Sequence, residues 1–139
     1  MVEGVTSASL NVEAEQRFIR LREALAVTTF GINGMVLEPG ARNRIHNHRL
    51  QQEVFLVLEG TLTLVVEGEE LTFDTGELVQ VAPGVRRQIT NRGPGVLRLL
   101  ALGGMVGNEH AGRDGEAFNE WDGEALPIAD VPLPEDWPV

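Results

Sequence analysis

Apolar and polar positions alternate along this chain in short runs, most of them closed by glycine, proline or asparagine. The clearest case is TLTLVVEGEELTF, residues 61–73, where two alternating runs meet around Glu67-Gly68-Glu69. Residues two apart on a strand share a face, so this pattern predicts a hairpin with one face turned to a core. Asp74-Thr75-Gly76 and Ala82-Pro83-Gly84 bracket residues 77–81, ELVQV, as a short strand between turns. The segment Asn91 to Gly95 turns into VLRLLALGG, read as the last barrel strand. Upstream, TTFGINGMVLEPGA reads as a strand with bends or bulges at Gly31 and Gly34, and Pro39-Gly40 turns the chain into the next one. RFIRLREALAV, residues 17–27, allows two readings. It is either a strand start at Phe18, Ile19 and Leu21 followed by a helical turn over Arg22 to Leu25, or one short helix with Phe18, Leu21 and Leu25 on a face. Many short strands with almost no helix predict an all-β sandwich or closed barrel.

Size and charge set the frame. With 139 residues the chain suits one domain, and 42% hydrophobic with only 5% aromatic residues suits an aliphatic core. A net charge of -10 argues against nucleic acid as a partner, since phosphate backbones require a basic surface. No apolar run approaches the length of a membrane span and the N-terminus lacks a signal region, so the expectation is a cytoplasmic protein without a membrane partner. The absence of cysteine is silent on redox compartment. The charge is uneven: residues 107–139 hold nine acids and one arginine, with four of the seven prolines and both tryptophans. Phe118, Trp121, Ile128, Val131, Leu133 and Trp137 are too large and apolar for a merely solvating tail. The expected organisation is therefore an N-terminal arm over residues 1–27, a barrel over 28–106, and an acidic arm over 107–139 packed on the barrel or on a partner subunit.

The candidate chemistry lies between Gly40 and Gly60. His46-Asn47-His48 on a strand presents two imidazoles on one face, and Glu53 opens the returning strand after a turn through Arg49 to Gln52. Two imidazoles and a carboxylate form an N,N,O set suited to a divalent Fe, Mn, Ni, Zn or Cu ion. The plainer alternative is a metal-free cluster in which the histidines pair with carboxylates or line a polar cavity. Composition narrows any reaction: there is no Cys, Tyr or Lys, all eleven basic residues are Arg, and the only serines are Ser7 and Ser9. A Ser or Cys hydrolase is thus excluded, and an enzyme here would depend on a metal or on a substrate-bound cofactor, with Glu53 or a histidine as candidate base.

Gly40, five residues, His46-Asn47-His48, four residues, Glu53, six residues, Gly60: this spacing resembles the first signature of the cupin superfamily. The second signature is matched by Gly76, Gly84 and Asn91, while Ala82 stands at the usual proline and Arg87 at the usual third histidine. The resemblance implies an all-β double-stranded β-helix, a cupin or jelly-roll barrel, commonly a homodimer. It carries over His46, His48 and Glu53 as metal ligands and no fourth. The superfamily's many activities leave the reaction open, with metal-dependent isomerase, dioxygenase and lyase types all available.

Guanidinium has no acceptor and stays protonated, so Arg87 ligates no cation. It either forms a bidentate pair with Glu53, giving a metal-free module for small-molecule binding or assembly, or projects toward an anionic ligand that shares the cavity with a metal. The second picture is the leading one: a small, anionic organic molecule inside the barrel, held by Arg87 with Phe55 and Asn91 on the same inner face. Strand parity turns Glu53, Phe55 and Val57 inward, groups Arg87, Ile89 and Asn91, and closes the cavity floor with either Phe30 and Ile32 or Met35 and Leu37. Arg86 falls on the opposite face and reads as a surface charge. His110, the only histidine outside the signature, reads as exposed.

Overall fold

A computed structural model describes residues 2–14, 16–105 and 114–134 of the chain. The expectations for His110 and Trp137 lie outside these residues. In chain order the elements are β1 (Phe18–Ile19), α1 (Leu21–Leu25), β2 (Gly31–Leu37), β3 (Ile45–His48), β4 (Gln52–Glu59), β5 (Thr61–Val66), β6 (Glu69–Asp74), β7 (Leu78–Val81), β8 (Arg87–Thr90), β9 (Leu97–Gly104) and β10 (Gly115–Phe118), with one 3-10 turn at Ile128–Asp130. They form two five-stranded sheets, in the orders β1-β2-β9-β4-β7 and β10-β3-β8-β5-β6, with every named pairing antiparallel. This is the jelly-roll barrel that the strand pattern and the signature spacing predict.

Local chemistry explains the turns. Glu67 and Gly68 both adopt positive φ, 49° and 84°, and join Val66 to its partner Glu69, the geometry of a two-residue hairpin turn whose twist matches its strands. Gly60, the last residue of the first signature, has φ of 80°, and a Cβ there would lie 2.3 Å from the carbonyl oxygen of Val96, so only glycine fits.

The core lies between the sheets and is mostly aliphatic. Met35 and Leu37 of β2, Phe55 and Val57 of β4, Leu62 and Leu64 of β5, Val81 of β7, Ile89 of β8 and Leu97 and Leu99 of β9 pack into one cluster. Met35 and Leu37 are thus the inward pair of β2, while Phe30, of the other pair offered by the pattern, is exposed. Of the two readings of residues 17–27, the strand followed by a helical turn is the one found, with Leu21 in the helix: Phe18 and Ile19 pair with β2, and Leu21–Leu25 makes a short helix whose Leu21 is buried.

The C-terminal stretch enters the fold directly. Gly115–Phe118 pairs with β3 as an edge strand, Gly115 opposite His48 and Phe118 opposite Ile45, so VLRLLALGG is followed by a further strand and is not the last. The chain then folds back, Ala117 and Leu126 exchanging backbone hydrogen bonds at 2.9 Å. Phe118 and Val131 are buried and Trp121 half-buried, whereas Ile128 and Leu133 remain largely exposed. Arg86, expected as a surface charge, is instead the clasp of this segment. One guanidinium nitrogen donates to the carbonyls of Trp121 (2.7 Å) and Gly123 (2.8 Å), and the group stacks 3.8 Å from the centre of the Phe118 ring. Parity placed Arg86 correctly on the outer face; the returning chain covers that face.

Candidate metal centre

The signature residues meet across the two sheets, at the end of the barrel where β3 turns into β4. His46 and His48 share the inner face of β3, with ring centres 5.5 Å apart and planes at 87°. Glu53 enters from the opposite sheet, where it lies between Val81 of β7 and Gly103 of β9. Arg87 of β8 sits directly opposite His46 in register. One ligand atom from each of His46, His48 and Glu53 lies within 4.8 Å of the other two.

Each imidazole has its Nδ1 occupied by the protein. That of His46 bonds the carbonyl of Arg44 at 2.9 Å, and that of His48 meets the carboxylate of Asp114 at 2.9 Å. A carbonyl accepts only, so Nδ1 of His46 carries the proton and Nε2 keeps its lone pair. The Nε2 of His48 stands 3.4 Å from Oε2 of Glu53. Two donor atoms on one metal, each at about 2.1 Å with angles between square and tetrahedral, are separated by roughly 3.0 to 3.4 Å, so this pair fits a shared cation. The residues present therefore suit a divalent metal by donor type, with the tautomer of His46 and the spacing of His48 and Glu53 in agreement.

Electrostatics favour that fit at His46 and Glu53, while at His48 a proton competes for the donor atom. Burial and the nearby Arg87 outweigh Glu53 and hold the pKa of His46 down to about 4, so its lone pair is available at neutral pH. Burial opposes a charge on His48 too, but the hydrogen bonds and charges of Glu53 and Asp114 outweigh it and raise its pKa. Burial also disfavours the Glu53 carboxylate, yet His48 and Arg87 bring its pKa down to about 2. A carboxylate this acidic is ionised and available as a ligand at neutral pH.

Arg87 settles between the two pictures drawn from sequence. Its side chain is fully buried, with one nitrogen 2.9 Å from Oε1 of Glu53 and the other donating to the carbonyl of Val85 at 2.7 Å. The expected bidentate pair is thus a single bond, because the second nitrogen is taken by the backbone. Glu53 keeps its other oxygen for His48, and the ion pair coexists with the ligand set. Its Nε is buried without a hydrogen-bond partner. Phe55 is the next inward residue of β4 and belongs to the core. Asn91 does not join the cluster; its amide donates to the carbonyls of Leu37 and Gly95, both at 2.9 Å, and accepts from the Gly93 backbone, locking the turn before β9.

Sequence reasoning missed Asp114 and Gln51, which form the network behind His48. Nothing in the acidic stretch around Asp114 marks it, since its role depends on the pairing of β10 with β3.

Comparison with known proteins agrees with this construction. The Cupin domain family model matches residues 34–103, half of the chain, and the chain belongs to the cupin family. A cupin protein from Bacteroides fragilis superposes with a TM-score of 0.66 at 20% identity, covering 81% of this chain and 93% of its own. A sugar phosphate isomerase of the cupin superfamily from Silicibacter pomeroyi superposes with a TM-score of 0.61 at 26% identity, covering 96% and 92%. Among curated proteins no sequence match is found.

Proposed function

We propose that this chain is a metal-dependent cupin of isomerase type, holding a divalent ion of the Fe, Mn, Ni, Zn or Cu group on His46, His48 and Glu53 and acting on a small anionic organic molecule. The observation that carries the reading is the convergence of one donor atom each from His46, His48 and Glu53 within 4.8 Å. The likeness over nearly the whole chain to a sugar phosphate isomerase supports phosphorylated sugars as the first substrate class to test. A cation held by His46, His48 and Glu53 would supply Lewis-acid polarisation of an oxygen of the substrate. The chain's own residues hold Glu53 ionised, keep the His46 lone pair free, and use the buried Arg87 to neutralise part of the glutamate charge, leaving the metal's charge available to the ligand.

The same reading takes the protein as a cytoplasmic homodimer that binds neither nucleic acid nor membrane. Leu78 and Leu58, exposed on and beside the edge strand β7, offer an apolar surface to a second copy. Among the described residues no helix is long and apolar enough to cross a membrane.

The test is elemental analysis of untagged protein purified without chelator, beside a His46→Ala/His48→Ala control, followed by calorimetric titration with sugar phosphates and small carboxylic acids. Near-stoichiometric metal that vanishes in the control supports the reading. The second reading, a metal-free binding or assembly module, is favoured by the 2.9 Å contact between Arg87 and Glu53. It prevails if no metal is retained after incubation with Mn, Fe, Ni and Zn.

A further inference from the structure

Asp114 lies 66 residues along the chain from His48 and beyond the span that the family model matches. Its carboxylate is buried and surrounded by donors. Oδ2 accepts the backbone N–H groups of Leu50 at 2.8 Å and Gln51 at 3.0 Å. Oδ1 accepts the Gln51 side-chain amide at 2.7 Å and faces Nδ1 of His48 at 2.9 Å. Its own backbone carbonyl accepts the N–H of Arg49 at 3.1 Å. All three residues of the turn between β3 and β4 are therefore tied to one residue of the C-terminal stretch.

A carboxylate in such a ring of donors accepts only, so the proton of the His48 contact sits on Nδ1. The Gln51 amide nitrogen also lies 2.9 Å from Nδ1 and is already given to Oδ1 at 2.7 Å. Were Nδ1 a lone pair instead, it would face a carboxylate at hydrogen-bond distance with no proton between them.

We infer that Asp114 is a positioning residue of the metal centre, fixing His48 in the Nδ1–H tautomer, with Nε2 toward Glu53, and holding the turn that spaces His48 from Glu53. The inference rests on the metal reading above, and it makes metal affinity depend on a residue outside the matched cupin span. Carboxylates behind ligating histidines act in this way by orienting the ring and raising its basicity.

The decisive variant is Asp114→Asn in the full chain. The Leu50 and Gln51 N–H groups will hold the amide oxygen, so the amide NH2 faces His48 and drives its ring proton to Nε2, the metal-facing atom. Nitrogen-15 NMR of metal-free protein in alkaline buffer reads the tautomer directly, with the His48 signals assigned by their loss in His48→Gln in a chain of three histidines. The expected result is Nδ1–H in the wild type and Nε2–H in the variant, with zinc affinity measured against a competing chelator falling roughly 10- to 100-fold. A purely structural role would lower the melting temperature and leave the tautomer alone. An Nε2–H wild type overturns the inference even if the variant fails to fold, as does a folded variant with unchanged tautomer and affinity. A wild type that takes up no zinc overturns the metal reading instead, and the tautomer then decides the part played by Asp114.

Discussion

The inner surface of this barrel has two ends built on the same strands. At one, β4 contributes Glu53 and β8 contributes Arg87; two residues deeper the same faces carry Phe55 and Ile89, both essentially fully buried. The apolar end is held by contacts with many neighbours, each small. The polar end is held by a few directed bonds, each of which leaves a buried charge unpartnered when it is lost. Strand parity is identical at both ends, so depth alone separates a packing position from a chemical one. The comparison implies that the apolar end should respond to volume and the polar end to charge.

The largest effect should come from the apolar end. Phe55→Ala removes the ring at the centre of the core cluster and should destabilise the fold by about 4 kcal/mol in chemical denaturation. An unchanged midpoint would mean that the two ends are not packed as one unit. Next comes Arg87→Met, which conserves much of the volume but leaves Glu53 without its cation. A loss of about 3 kcal/mol is expected, largely recovered by adding Glu53→Gln. If the double variant is no better than the single, volume rather than charge governs this end too. Arg87→His, by contrast, should tighten metal binding by completing a set of four ligands.

The pH response should be a property of the polar end. Glu53 has its pKa lowered from 4.5 to about 2, and Asp114 is lowered as well through its hydrogen bonds from Leu50, His48 and Gln51. The contribution of Glu53 is present above 4.5 and is lost as pH falls through about 2, and that of Asp114 is present above 3.8 and is lost at still lower pH. His48, raised from 6.5, works in the opposite sense: in metal-free protein its contribution is full below 6.5 and lost as pH rises through the folded value. Melting temperatures across these windows should fall on both sides in the wild type, with a weaker acid limb in Glu53→Gln. The smallest effect is expected from Arg86→Gln, about 1 kcal/mol, read as faster hydrogen exchange in residues 119–126.

Much of the polar end was legible because a two-residue period on strands fixes which side chains share a face, and fixed spacing across one turn brings Glu53 to the histidines. Arg87 was equally visible as a cation beside the glutamate. Its bond count was not, since the carbonyl of Val85 competes for one nitrogen. Asn91 shares the parity of Arg87 and was read with the pocket for that reason. Its amide serves three backbone groups at the next turn, a local demand that parity does not express. Arg86 and Asp114 were hidden by the same cause: both act through β10, and an edge strand of four residues ahead of an acidic stretch carries too little pattern to announce where it pairs.

That edge strand also bears on how such barrels can be recombined. A chimera that exchanged only residues 34–103 would transplant both histidines, the glutamate and Arg87. It would leave behind the carboxylate bonded to His48 and the strand lying beside β3. The portable unit of this centre therefore extends at least to Phe118, and grafts cut at the conventional border should inherit the ligands without their support.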